Sequence, residues 1–250
     1  MPFESWWLKN MNNLSTLFKG VEPKNSLEVL SRAIDHFGDD ICMATSFQVG
    51  GLVLLDMLHQ VGKPVRVFSI DTGRLPEETY ECAEAIRHKY GINVEWVFPK
   101  YENVEKLETK KGLFSFKEST ENRQECCGIR KVEPLGRALE GYGAWITGRR
   151  QEQSENRGGL EFIETDPVHE GMIKINPLIH WSKADLWFYA EEHKVPHNRL
   201  YDEGYLSIGC APCTRPCREG EDERAGRWWW ESTDHKECGL HLNFKNGGGI

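Results

Sequence analysis

Apolar positions recur at helical spacing over residues 26–36, where Leu27, Leu30, Ala33 and Ile34 share one face and Ser26 stands as the expected N-cap. The next apolar run, ICMATSF at residues 41–47, is short and nearly continuous, the pattern of a buried parallel strand. Gln48, Val49, Gly50 and Gly51 then read as a turn, and LVLLDMLHQ at residues 52–60 as a helix. The unit recurs: VRVFSI (65–70) is a strand, DTGRLPEETYECAEAIRHKY (71–90) a turn leading into a helix, and INVEWVF (92–98) a third strand. A further strand, 144–147, ends in Gly148, Arg149 and Arg150; residues 174–179 read as another, and WSKADLWFYAEEHK as a helix starting near Ser182. This alternation predicts right-handed βαβ units, an α/β fold with an open parallel sheet covered by helices on both faces. Ligands of such sheets sit off the carboxyl ends of the strands, near the point where strand order reverses, so the turns after strands are the place to look for chemistry.

Residues 1–25 are irregular and aromatic and read as an N-terminal arm that packs on the body or on a partner subunit, the latter making a homo-oligomer. Residues 26–206 form the expected α/β body, and residues 207–250, rich in cysteine, arginine, tryptophan and glycine, a C-terminal segment folding over the sheet. With 250 residues, 39% of them hydrophobic and 28% charged, the chain has the composition of an ordinary globular protein rather than a disordered, collagenous or membrane one. A chain of this length buries enough apolar surface to be stable without disulfides. The net charge of -8 argues against a general nucleic-acid binder. No apolar stretch approaches the roughly 18 residues of a membrane span, and the first residues lack a basic leader followed by an apolar core, so a cytoplasmic location is expected. In that reducing compartment cysteines more often bind metal or do redox chemistry than form structural disulfides, so the spacing of the eight cysteines is informative.

Residues 44–51, ATSFQVGG, place hydroxyls and backbone N–H groups where a helix begins, which is either a phosphate seat or an ordinary strand-to-helix turn. It is not a Walker A loop, because no Gly-Lys-Ser/Thr follows. Asp71-Thr72-Gly73-Arg74 and Gly148-Arg149-Arg150 repeat the pattern, and three such turns on one sheet edge weigh more than one. Two cysteine pairs, Cys126-Cys127 and Cys210-x-x-Cys213, supply four thiols. Two C-x-x-C pairs would suggest zinc, but adjacent cysteines diverge and reach two corners of a cubane more easily than one zinc centre, so a [4Fe–4S] cluster fits better. Cys42 and Cys82, in a strand and a helix, read as small buried hydrophobes, and Cys217 as either a spare thiol or a packed one. Cys238 stands in the polar segment KECGLH, beside the mobile Gly239, and is either incidental or a nucleophile. Nucleophilicity requires nearby positive charge, which Lys236, His235 and His241 offer alongside, with Arg224 and Arg227 shortly before and Lys131 after the tandem cysteines. Those cations are either surface ion-pair partners or the seat of an anionic substrate.

Together, ECCGIRKVEPL, WITGRRQEQSENR, GCAPCTRP, EDERAGRWWWE and the terminal ECGLH resemble the assimilatory, thioredoxin-dependent adenylyl-sulfate (APS) reductases, over about residues 26–241. The resemblance implies an adenine-nucleotide α-hydrolase-like fold related to ATP pyrophosphatases. Their Ser-Gly-Gly-x-Asp-Ser loop is replaced here by ATSFQVGG, which speaks against ATP cleavage. It implies that Cys238 attacks the sulfur of APS, releasing AMP and leaving an S-sulfocysteine from which thioredoxin frees sulfite. It implies a [4Fe–4S] cluster on Cys126, Cys127, Cys210 and Cys213, with Lys131 linking cluster and substrate and His241 in the catalytic set. Arg149, Arg157, Arg224 and Arg227 would hold sulfate and phosphate, and Ser46, Gln48, Asp71, Thr72 and Gly73 would line the nucleotide site. Reduction of 3′-phosphoadenylyl sulfate (PAPS), by relatives that share ECGLH but generally lack the cluster cysteines, is the nearest rival. A zinc-stabilised regulatory protein and an RNA-thiolating enzyme are more distant ones.

Overall fold

The structure is a computed structural model that describes residues 14, 16–153, 161–166, 168–169 and 171–231. Helix α1 is Ser26–Phe37. Its N-cap is Asn25 rather than Ser26: the Asn25 side chain accepts from the Glu28 amide at 3.2 Å, while the buried Ser26 hydroxyl donates to the Pro177 carbonyl at 2.6 Å. Strand β1 is Ile41–Thr45 and helix α2 Val49–Val61, so Val49, Gly50 and Gly51 belong to the helix and not to a turn before it. β2 (Arg66–Ile70), α3 (Glu77–Tyr90) and β3 (Glu95–Val97) complete the second unit. Then come α4 (Tyr101–Lys111), α5 (Thr120–Cys127), a wider helical turn over Gly128–Val132, and α6 (Glu133–Leu139). β4 (Ala144–Ile146), β5 (Ile163–Thr165), β6 (Ile173–Ile175) and α7 (Lys183–Glu192) follow. Ser182 caps α7, and a full capping box with Asp185 closes its N-terminus.

The six strands run in the order β3-β2-β1-β4-β6-β5. All pairs are parallel except β5–β6, which is antiparallel, so the expected all-parallel sheet carries one reversed edge strand. The chain between β5 and β6 is too short for a helical crossover and can only turn back. The strand expected over residues 174–179 is confined to Ile173–Ile175; beyond it Asn176 donates and accepts through its side chain, and the backbone turns.

One face of the sheet packs on α1, α2 and α7 through Val29, Leu30, Leu54, Ile146, Ile175 and Leu186, all buried. The other packs on α6, where Leu135, Ala138 and Leu139 meet Cys42, Phe68 and Trp145. Burial on both faces is why these strands read as continuous apolar runs. Residues 207–231 fold back over the carboxyl ends of the strands: the Ala211 amide donates to the Arg74 carbonyl at 2.8 Å, and the Ile208 amide to Gln48 Oε1 at 3.3 Å. Among the described residues no helix is long and apolar enough to cross a membrane.

Candidate functional site

Strand order reverses between β1 and β4, and the turns that leave these two strands touch. A Cβ on Gly50, in the first turn of α2, would lie 3.2 Å from the Gly148 carbonyl oxygen, tighter than an ordinary contact, so the two backbones approach closely here. Phe47 closes the turn after β1 with φ 53°, a left-handed conformation costly for a bulky residue, and Thr45 Oγ1 accepts from its amide at 3.3 Å. Gln48 crosses to the C-terminal segment, its Oε1 accepting from Ser207 Oγ and the Ile208 amide, both at 3.3 Å. The Val49 amide, one of the orphan donors of α2, is met by the Tyr201 hydroxyl at 3.1 Å.

Beneath these turns lies a cavity of about 250 Å³. Ser46, Gln48 and Thr72 line it from the turns after β1 and β2, Arg149 and Arg150 from the turn after β4, and Arg224 and Arg227 from the C-terminal segment; Lys131 closes it from the helix side. Its described lining thus carries five cationic side chains against a single carboxylate, Glu223. Glu223 pairs with the buried Arg150 at 3.2 Å. Such a basin in a low-dielectric wall suits an anion of more than one charge.

The arginines of the C-terminal segment are held by Trp228, itself buried with φ 42°. The guanidinium of Arg227 lies 4.8 Å from its ring centroid, that of Arg123 4.7 Å and that of Arg224 5.8 Å. Arg227 also fills the space a side chain on Gly209 would need, its Nη2 standing where the Cβ would go, and donates to Ser207 Oγ at 3.3 Å.

A second, small cavity adjoins the first. Cys126, Cys127, Cys210 and Cys213 all line it, with Phe116, Trp228 and the cations Arg74, Arg123, Arg130 and Lys131. Lys131 is therefore common to both cavities, and it sits there because the continuous helical path α5–α6 sets it four residues beyond Cys127, on the same face. Burial pushes the Cys213 thiol up to about 12 and raises that of Cys126. Burial also acts on Cys210, but Lys131, the Thr72 hydroxyl at 3.3 Å and Arg227 outweigh it and bring that thiol below its ordinary value. No group of three His, Cys, Asp or Glu among the described residues is disposed to hold one metal ion. The donor set converging on the cavity is nevertheless four thiols in an apolar wall flanked by cations, the chemistry that a thiolate-ligated, net-negative cluster requires.

Of the residues singled out in the sequence, Ser46, Gln48, Thr72, Lys131, Arg149, Arg224 and Arg227 line the larger cavity. Asp71 and Gly73 do not. The Asp71 carboxylate turns back to accept from the Gly73 amide at 2.7 Å and the Tyr80 hydroxyl at 3.0 Å, so it shapes the turn that presents Thr72. Gly73 supplies that turn with φ 70°. Cys238, His241 and Arg157 lie outside the described residues. Cys42 and Cys82 are buried, with thiols pushed up to about 12 by burial, as small hydrophobes would be. Cys217 is half-buried against the backbone of the 215–226 loop. Reading the sequence assigned no role to Tyr201, which stands in no quoted motif, nor to Glu223 and Arg130, which stand inside EDERAGRWWWE and ECCGIRKVEPL, and it named Arg74 only as the last residue of the 71–74 turn.

Residues 40–216 match the family model of the phosphoadenosine phosphosulfate reductase domain. The chain is 45% identical over 216 residues to the adenosine 5′-phosphosulfate reductase of Allochromatium vinosum, covering 86% of this chain and 84% of that one. It is 46% identical to the enzyme of the same name from Burkholderia cepacia, covering 86% of each. The chloroplastic 5′-adenylylsulfate reductase 3 of Arabidopsis thaliana is 44% identical over 92% of this chain, which spans only 52% of that relative's length. Among solved structures, phosphoadenylyl-sulfate (PAPS) reductase from Candida auris, in a phosphate complex, superposes with a TM-score of 0.68 at 32% identity, over 86% of this chain and 98% of that one. Candida glabrata FMN adenylyltransferase, at 14% identity and a TM-score of 0.51, over 98% of this chain and 85% of that one, shares the fold alone.

Proposed function

Because the chain belongs to the phosphoadenosine phosphosulfate reductase domain family, we propose that it reduces adenosine 5′-phosphosulfate to sulfite and AMP, with a thioredoxin as reductant, in assimilatory sulfate reduction. The fold is the adenine-nucleotide α-hydrolase-like one, and the observation that carries the reading is the cation-lined cavity at its strand-order switch, joined through Lys131 to a cavity of four thiols. The bacterial relatives of high coverage bear the APS name, which supports APS over PAPS as substrate.

In this reading the Cys238 thiolate attacks the sulfur of bound APS, the bond from sulfur to the bridging oxygen breaks, and AMP leaves with that electron pair. Cys238 is left as S-sulfocysteine. A thioredoxin thiolate then attacks the Cys238 sulfur, the S–S bond breaks and sulfite departs; the second thioredoxin thiol releases Cys238 and leaves as the disulfide. Attack of an anion on a sulfonated anion is opposed by Coulomb repulsion, which Lys131, Arg149, Arg224 and Arg227 offset in a site shielded from water. Arg157 and His241 would join them. Ser46, Gln48 and Thr72 would meet the nucleotide. Cys126, Cys127, Cys210 and Cys213 would hold a [4Fe–4S] cluster, which when bound would supply a fixed negative charge that favours the Lys131 ammonium between cluster and substrate. Both reducing equivalents of the reaction come from thiols. Such a protein works in a reducing compartment, as expected of the cytoplasm.

The test is the intact mass of anaerobically purified, iron-replete protein after incubation with APS or with PAPS in the absence of thioredoxin, beside Cys238→Ser. An added SO₃ on the parent alone, with APS in preference to PAPS, is the expected result. No adduct with either nucleotide, in protein that binds AMP, overturns the covalent mechanism.

A further inference from the structure

The reversed edge strand has a function in the site. Glu164, at the middle of β5, reaches over β6 to the turn after β4, where a single carboxylate oxygen, Oε2, accepts from Arg149 Nη1 at 3.0 Å and from Asn176 Nδ2 at 2.6 Å. The Asn176 carbonyl oxygen in turn accepts from the Thr147 hydroxyl at 2.6 Å, and that hydroxyl oxygen accepts from the Arg149 amide at 3.5 Å. Glu164, Asn176, Thr147 and Arg149 thus form a closed ring of hydrogen bonds in which Asn176 and Thr147 are buried, and two of the four, Thr147 and Arg149, line the cavity. The register explains the reach: Glu164 pairs with Lys174 across β5–β6, and Lys174 with Trp145 across β6–β4, so the carboxylate leaves the sheet two strands from the turn it holds.

We infer that Glu164 is a positioning residue for substrate binding, fixing the Arg149 guanidinium so that its unused N–H groups face the anion. This inference rests on the proposed role of Arg149. Two observations carry it. Arg149 lines the cavity, and its buried Nε has no hydrogen-bond partner among the described residues, so the protein leaves that donor unsatisfied at the cavity wall. Glu164 engages only Nη1, so the charge-assisted bond that orients the fork does not consume its other edge. An arginine at a cavity wall with no such tether samples several rotamers, and binding an anion must then order it. The carboxylate has done that ordering in advance. Asn176 and Thr147 hold the turn itself, so the ring fixes both the base and the tip of the Arg149 side chain.

The test is a double-mutant cycle on APS affinity, measured calorimetrically in the unreactive Cys238→Ser background: that parent, Glu164→Ala, Arg149→Ala and both together. Loss of one charge-assisted hydrogen bond is expected to weaken APS binding about tenfold in each single variant. The double variant should be no weaker than the poorer single one, because the guanidinium is the group through which the carboxylate is inferred to act on the ligand. Glu164→Gln, which keeps an acceptor oxygen, should recover most of the loss, and the melting temperatures of parent and Glu164→Gln should agree. Losses that multiply to about a hundredfold in the double variant, or Glu164→Ala binding like the parent while Arg149→Ala binds weakly, overturn the positioning role and leave the functional reading intact. A folded parent that does not bind APS overturns that reading and this inference with it.

Discussion

Removing the Glu231 carboxylate while leaving Arg123 in place isolates the contact that ties the two ends of the thiol cavity together. Arg123, on α5 beside the tandem cysteines, and Glu231 form a bidentate pair, Nε to Oε1 and Nη2 to Oε2, both 2.9 Å, with side chains only 1% and 6% exposed. Breaking a buried pair from one side leaves the other charge without its carboxylate counter-ion in a low-dielectric wall, which costs about 3–5 kcal/mol. In a domain of this size each kcal/mol lowers the melting temperature by about 2–4 °C, so Glu231→Ala should melt about 6–20 °C below the parent. Replacing both partners by apolar residues, Arg123→Met with Glu231→Leu, removes the stranded charge and should restore most of that loss. Thermal unfolding followed by circular dichroism at pH 7, on all four combinations, reads the effect directly. A Glu231→Ala shift below about 2 °C, or a double variant less stable than Glu231→Ala, would refute the account of this pair as a buried tie.

The acid limb of stability should carry the signature of the α7 cap. Lys24 and the Ser182 amide and hydroxyl hold the Asp185 carboxyl down at about 2, against about 3.9 in an unfolded chain, so its contribution is complete above about pH 4 and is lost as pH falls toward 2. Asp185→Asn should therefore be less stable than the parent at pH 6 and converge with it near pH 2 in urea titrations; a constant gap across that range would contradict the assignment. Cys42 and Cys82, buried and with thiols pushed up to about 12, should resist iodoacetamide in the native protein and react only on unfolding, as peptide mass mapping would show. Rapid native labelling at either would mean that the sheet or α3 opens locally.

The parts of the site that could be read from the sequence are those encoded by contiguous patterns. The buried strands and α2 declare themselves because both faces of the sheet are covered, and the tandem and spaced cysteine pairs do meet at one cavity. Within a turn, however, sequence does not say which residue lines the site: Asp71 and Thr72 are adjacent, yet the Asp71 carboxylate is consumed by the Gly73 amide and Tyr80 while Thr72 lines the cavity and sets its hydroxyl against Cys210. β5 went unread because a three-residue strand whose alternate residues are half-exposed has no periodicity to detect, and its direction is set by the length of the connection rather than by composition. Glu164 is invisible for the same reason, since its partner lies 15 positions away, in the turn after another strand. Asn25 took the cap expected of Ser26 because the serine hydroxyl finds a tertiary acceptor, the Pro177 carbonyl, that no local rule contains.

The sheet ends on either side in a strand of only three residues, β3 at one margin and β5 at the other. Unpaired margins of a sheet are templates on which another chain can add a strand, and shortness together with charge is the usual protection. Here each margin also carries a glutamate committed elsewhere, Glu95 to Arg66 and Glu164 to Arg149. An incoming strand would meet a row of hydrogen-bonding groups too short to hold it and a carboxylate at its centre or end. The two carboxylates that hold Arg66 and Arg149 thus stand where they also oppose edge-to-edge pairing, and removing either would take a charge from a sheet margin as well as loosening what it held.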